Sequence, residues 1–223
     1  MDKAVLRKPM DMNNWAYTVI RGMILNNELR VGEQIHIDLL IEKLGVSRTP
    51  IREALLRLRQ NNLVDVVPHV GYFVSGITKK EFHDVFELRG IIECYAARNA
   101  ALHMSEEELD LCREYVEKSE KLVAEGKYEE YNECEIMFHS FLTDRTQNSR
   151  IHSVMDNVSD FIHRERVLAL GSQENLQMSI REHRAILEAI CARDAEGAYK
   201  AMAEHITRVE KRLEGLIDFT DED

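Results

Sequence analysis

The sequence predicts a mainly α-helical protein in two parts. Residues 1–76 read as a winged helix-turn-helix with a small β-hairpin wing, and residues 77–223 as an all-α antiparallel bundle of about six helices. All three prolines, Pro9, Pro50 and Pro68, fall in the first third, and none follows from His69 onward, as suits a region built of helices. The composition changes at FVSGIT, residues 73–78, a short Gly/Ser connection. Charge divides at the same place. Residues 1–76 hold 10 basic and 8 acidic side chains, a balance of +2, whereas the remainder carries −13 of the total −11. A polyanion would be tolerated by the first part and repelled by the second.

In the first part, NNWAYTVIRGMILNNEL sets Trp15, Val19, Met23 and Ile24 at helical spacing. IDLLIEKLG reads as a short helix from an N-cap at Asp38 to a stop at Gly45. Ser47 caps the next helix, and Pro50 lies in its first turn, where a missing N–H costs nothing. LVDVVPHVGYFV has two β-rich runs around PHVG, a hairpin pattern. Within GVSRTPIREALLRL, Ile51, Ala54, Leu55 and Leu58 form the inward stripe, while Arg48, Thr49 and Arg52 share another face near the N-terminus. Taken alone, such arginines are more readily a solvated face. The helix before and the hairpin after them favour DNA recognition, because a recognition helix contacts DNA with its first turns and arginine matches guanine bidentately.

In the second part, Thr78 with Glu81 and Ser105 with Glu108 fit the capping-box pattern. Breaks at Gly126, Asn148, Gly171 and Asp194 then delimit helices over 78–103, 105–125, 127–145, 149–169, 173–192 and 195–218. The acidic tail DFTDED reads as frayed. Two inward seams, Leu176-Ile180-His183-Leu187-Ile190 and Ala198-Met202-His205-Val209-Leu216, each carry a histidine where a leucine is expected. Glu135 and His139 leave a third helix from one face. Two readings stay open on spacing alone: hydrogen-bonded core histidines, or a divalent metal such as Zn, Ni or Mn shared by all four side chains. Arg89 has two readings also, a bidentate partner for an effector carboxylate or an ion pair with Glu93 one turn on, the second being favoured. His163 is a further effector-pocket candidate.

The stretch from LRVGEQIHIDLL to PHVGYFV, with GVSRTPIREAL at its centre, resembles the DNA-binding domain of GntR-family bacterial regulators. MFHSFL with QNSRI, and EHRAILEAICARDAEGAYKAMAEHI, resemble the FCD-type ligand-binding domain of the FadR-like subfamily. The resemblance implies a homodimeric, metabolite-responsive regulator, more a repressor than an activator, reading palindromic operator DNA. It puts Ser47, Arg48, Thr49 and Arg52 at the recognition-helix contacts and His69 and Gly71 at the wing tip. It also implies a metal held by Glu135, His139, His183 and His205, with small organic acids as effectors. Two departures stand out: Glu135 replaces the usual Asp, and Asp38 stands where the fatty-acid-responsive member carries an arginine. A count of six helices rather than seven points to the VanR-like branch.

No apolar run is long enough to span a bilayer, and MDKAVLRKPM lacks the marks of a signal peptide. The four scattered cysteines form no C-x-x-C pair, so a reduced, cytoplasmic setting is expected. Two rival functions use the same residues. A metal-dependent hydrolase would exploit an open coordination site, though no general base stands out and the winged helix would lack a purpose. A direct metal sensor would take the ion itself as its signal.

Overall fold

A computed structural model describes residues 11–220, apart from the side chains of residues 168 and 169. The reading of the first ten residues and the last three residues of the acidic tail lie outside that range. The chain divides between Gly76 and Ile77 into two compact units.

In the first unit, α1 (Met12–Leu25) begins where the Asp11 carboxylate accepts a hydrogen bond from the Asn13 amide at 3.0 Å. Its deep face is Ala16, Ile20, Met23 and Ile24; Trp15 and Val19 sit half-buried at the edge of the stripe. Strand β1 (Gln34–Ile35) leads into α2 (Ile37–Leu44), which starts two residues earlier than an N-cap at Asp38 would allow. His36 takes the cap position without a side-chain bond, and Asp38 lies in the first turn, where a carboxylate meets the positive end of the helix dipole. Gly45 ends α2 in the left-handed region at φ 66°, which bends the chain into α3 (Arg48–Gln60). Ser47 is the N-cap residue of α3, though its hydroxyl makes no capping bond, and Pro50 is buried in the first turn.

Strands β2 (Val64–Val67) and β3 (Gly71–Val74) form the expected hairpin, with Val67 opposite Gly71 and Val64 opposite Val74. The two-residue β1 adds to the other side of β3, so the order is β1-β3-β2, all antiparallel. Ile20, Ile51, Leu55, Leu58, Val64 and Val74 close one core beneath the sheet and the three helices.

Six helices make up the second unit among the described residues: α4 (Lys79–His103), α5 (Glu106–Ala124), α6 (Tyr128–Asp144), α7 (Ser149–Ala169), α8 (Gln173–Cys191) and α9 (Ala195–Glu214). Their N-caps follow the sequence signals. Thr78 accepts from the Glu81 amide at 3.1 Å, and Ser105 with Glu108 makes a complete capping box. α4 packs against α9, α9 against α8, and α5 against α6 and α8. The main core joins Phe82, Phe86, Leu109, Phe138, Leu142, Ile186, Ile190, Met202 and Ile206. α9 stops at Glu214, four residues before the predicted end, so Leu216 is exposed rather than on the inward seam. The start of the tail is docked rather than frayed. Phe219 packs edge-on against Phe82 with ring centroids 5.4 Å apart, and the Thr220 amide donates to the Ile77 carbonyl at 3.0 Å. No helix among the described residues is long and apolar enough to cross a membrane.

Candidate metal centre and DNA-reading helix

Three helices of the second unit bring His139 (α6), His183 (α8) and His205 (α9) together. Each histidine takes a core position in the apolar period of its helix, and all three are buried. Their ring nitrogens meet. His183 Nε2 lies 3.1 Å from His139 Nε2 and 3.3 Å from His205 Nε2, and one ligand atom of each lies within 4.8 Å of the others.

Carboxylates hold the opposite ring edges. Glu93 Oε2, from α4, is 2.5 Å from His139 Nδ1, and Glu182 Oε2 is 2.8 Å from His205 Nδ1. Both acids are themselves anchored: Arg89 Nε donates to Glu93 at 2.8 Å, and Arg212 grips Glu182 with two bonds of 2.8 and 2.9 Å. A carboxylate beside Nδ1 favours the tautomer with its proton there, which leaves the Nε2 lone pair facing inward. Burial opposes charging of the rings, pushing His139 down to about 4 and His183 to about 3, and lowering His205 as well. At neutral pH the centre therefore holds uncharged imidazoles. His183 Nε2 can carry one hydrogen at most, so it satisfies one neighbouring lone pair and leaves the other in a costly buried contact. Converging lone pairs with outer carboxylate partners are the donor set that suits a divalent first-row cation. The three histidines fit such an ion.

Glu135 lies outside that histidine group. Its carboxylate faces Arg166 of α7, with Nε and Oε1 3.5 Å apart, beside the Tyr131 hydroxyl. Burial would raise its pKa, but Arg166, His183 and His139 outweigh that and bring it to about 2. Arg89 is paired with Glu93, as the sequence favoured, yet the pair is only 2% exposed and belongs to the centre rather than to a solvated helix face. Arg89 Nη1 is also 3.7 Å from Glu165, whose carboxyl is pushed up to about 8 because burial exceeds the attraction of Arg89 and Arg166. Arg89, Glu135, Glu165, Arg166 and Arg212 line a cavity of about 20 Å³ next to the centre, enough for a water-sized molecule. His163 is half-buried on α7 and is not among the residues lining it.

Glu182 and Arg212 have no place in the sequence reading, and Glu93 enters it only as the ion-pair partner of Arg89. Glu182, directly before His183, and Glu93, one turn beyond Arg89, were open to discovery as inward acids. Helical period alone gave them no distinction from surface residues.

In the first unit, Arg48, Thr49 and Arg52 are exposed on the first turns of α3, behind the exposed cap residue Ser47. Ile51, Ala54, Leu55 and Leu58 are buried on the opposite side. The guanidinium of Arg48 is in contact with the carboxylate of Asp38 on α2. His69 is exposed at the hairpin turn with φ 62°, and Gly71 follows at φ 149°. A Cβ at Gly71 would come 3.0 Å from Gln34 Nε2, the atom that donates to the Val70 carbonyl at 3.2 Å and ties the wing turn to β1.

Residues 84–208 match the model of the FCD domain, and residues 14–74 that of the bacterial regulatory proteins of the gntR family. The chain belongs to the GntR family and carries an FCD domain. It is 27% identical to the uncharacterized HTH-type transcriptional regulator YdhC of Bacillus subtilis, over 98% of each chain. It is 23% identical to the HTH-type transcriptional repressor RspR of Escherichia coli, over 93% of this chain and 91% of that one. Among solved structures, E. coli McbR/YncC shares the fold, with a TM-score of 0.76 at 21% identity over 92% of this chain and 98% of that one. Both families and these relatives are transcriptional regulators, not enzymes, and membership of the GntR family implies DNA binding.

Proposed function

We propose that this GntR/FCD regulator is a cytoplasmic, metabolite-responsive repressor that binds a palindromic operator as a homodimer. Its helical unit would hold a divalent metal on His139, His183 and His205, and a small organic acid bound there would control DNA affinity. The observation that carries the metal is the approach of three Nε2 atoms to within 3.1 and 3.3 Å, with carboxylates behind two of the rings. Bound at that point, a divalent ion supplies a concentrated positive charge and an electrophilic position that a carboxylate can occupy.

Charge balance supports an anionic effector. Around three neutral imidazoles, Arg89, Arg166 and Arg212 match Glu93, Glu135 and Glu182 one for one. A divalent cation added to that set leaves positive charge in a buried place, where an uncompensated charge is expensive and an anion is attracted. Glu135 is a fourth donor only if it leaves Arg166, and a released Arg166 becomes a bidentate partner for the incoming carboxylate.

On the DNA side, the exposure of Ser47, Arg48, Thr49 and Arg52 at the positive end of α3 supports their entering the major groove. His69 and Gly71 at the wing turn suit contact with the backbone or minor groove. A two-fold dimer places two such helices about 34 Å apart, so the operator must be palindromic. The effector acts by favouring a geometry that no longer matches that spacing, which requires it to bind that state several kcal/mol more tightly.

The decisive experiment is elemental analysis of the purified protein, followed by operator release in a screen of small carboxylates. About one divalent metal per chain, lost in His183→Ala, with release by an organic acid, supports the proposal. Metal titration that by itself controls operator binding within a cellular range would instead make the ion the signal.

A further inference from the structure

The turn at the tip of the wing is built to hold one shape. Val67, Pro68, His69 and Val70 form it, and the Val70 amide donates to the Val67 carbonyl at 3.1 Å. Proline fixes a negative φ at the second position, whereas His69 at the third has φ 62°. That pair of signs belongs to a type II turn, whose third position ordinarily takes glycine or asparagine because a Cβ is disfavoured there. Here it takes a histidine with an exposed side chain. A conformation of this kind persists where its surroundings hold it.

Part of that hold comes from outside the hairpin. Gln34 lies in β1 opposite Phe73 of β3, and its side chain reaches along β3 to the turn. Its Nε2 donates to the Val70 carbonyl at 3.2 Å, 36 residues along the chain. The bare backbone of Gly71 leaves the space for this bond, since a Cβ there would stand 3.0 Å from the same Nε2. A histidine in the left-handed region and a glycine two residues later therefore share one neighbour. Val67 is 43% exposed and Val70 58%, so the tip is held by hydrogen bonds rather than by burial.

We propose that Gln34 is a positioning residue for DNA recognition, bracing the wing turn so that His69 is already set in its DNA-contacting conformation before the duplex arrives. The proposal rests on the wing contact in the function proposed above and adds the residue, outside the wing, that prepares it. The gain is preorganisation: an exposed turn that orders only on binding loses part of its contact energy to that ordering. Gly71 then has a different part from contact with DNA. It is small so that the amide of Gln34 can pass over it to Val70, and the reading of the duplex at the tip falls to His69.

The test is a double-mutant cycle on DNA affinity with the full-length protein at one salt concentration. The probe is the duplex that wild type selects from a random-sequence pool. Gln34→Met keeps the length of the side chain and removes the donor, and Gln34→Leu serves if methionine disturbs β1. The substitution should weaken binding about two- to tenfold, the worth of one neutral hydrogen bond, with an unchanged melting temperature. His69→Ala should weaken binding as well. In the His69→Ala background, Gln34→Met should then change affinity by less than about twofold, because the brace has nothing left to present; a merely structural role would cost the same in both backgrounds. Equal losses with and without His69 overturn the brace and leave the wing contact standing, as does an effect of His69→Ala with none from Gln34→Met. If His69→Ala changes nothing, the contact of His69 with DNA fails and the brace fails with it.

Discussion

His139 Nε2 and His183 Nε2 lie 3.1 Å apart in a buried site, although the carboxylate behind His139 directs its proton to the other nitrogen. Two unprotonated nitrogens at that distance repel unless a hydrogen or a cation lies between them. Only one of the two contacts to His183 can be bridged by its hydrogen.

Metal binding should therefore stabilise the folded protein. At a free metal concentration a hundredfold above the dissociation constant, the gain is about 2.7 kcal/mol. Thermal scans with a chelator and with added Zn²⁺, Ni²⁺ or Mn²⁺ would check this, with His183→Ala as the unresponsive control. An identical melting temperature in every condition would remove the metal.

The outer carboxylates should matter nearly as much as the rings. Glu182→Gln keeps the shape of the side chain but lets it offer an N–H to His205 Nδ1, and such partners typically change metal affinity by about 10–100-fold. Competitive titration against a metal indicator measures it. Glu135→Gln separates two roles. If Glu135 is a ligand it should weaken metal as strongly as Glu182→Gln does, and if it serves Arg166 alone the metal should be retained.

Stability of the metal-free protein should depend on pH from both sides. His139 and His183 have folded pKa values near 4 and 3, below the ordinary 6.5, so the unfolded chain binds more protons as pH falls below 6.5. Their contribution is present above 6.5 and is lost as pH drops towards 4 and 3. Glu165 runs the other way. Its folded value of about 8 exceeds the ordinary 4.5, so its contribution is complete below 4.5 and lost as pH rises through 8. Urea denaturation at pH 5, 7 and 9 should show a maximum between these limits. Glu165→Gln should abolish the loss on the alkaline side; an unchanged alkaline limb would mean that Glu165 is ionised in the folded protein.

On the DNA side, Arg52→Ala should weaken operator binding by about 1–3 kcal/mol at matched salt. Asp38→Ala should act in the opposite sense, because its carboxylate occupies Arg48 in the free protein. The Asp38–Arg48 pair is exposed and worth at most about 1 kcal/mol, so the gain should be fivefold or less. Equal operator affinity for wild type, Arg48→Ala and Arg52→Ala would displace the first turns of α3 from the interface.

Local signals explain what the sequence revealed. Gly45, Ser47 and Pro50 delimit α3 by backbone chemistry that acts within a few residues, and the caps at Thr78 and Ser105 act likewise. The convergence of the three histidines was legible because each interrupts an apolar period. Strand β1 was not, since two residues show no alternation and its partner Phe73 stands 39 residues away. Asp38 lies two residues beyond the actual cap, His36, because a capping residue and a first-turn acid look alike in sequence. Glu182, and the place of Glu93 behind His139, are not legible because an acid turned inward by tertiary packing carries no mark in its own helix.

The hydrogen bond from Thr220 to Ile77 gives the helical unit a property of topology. Its first and last described residues are neighbours, so the path of the unit is nearly a closed loop, entered and left at one point. A closed loop can be reopened elsewhere. Joining the region of Thr220 to Ile77 through a short flexible connector, and cutting at the exposed turn of Gly126, would give a permuted chain with the same six helices in a new order of synthesis. For the same reason, a DNA-binding module of another specificity could be attached at Ile77, or moved to the other end of the unit, and its chain would emerge from almost the same place.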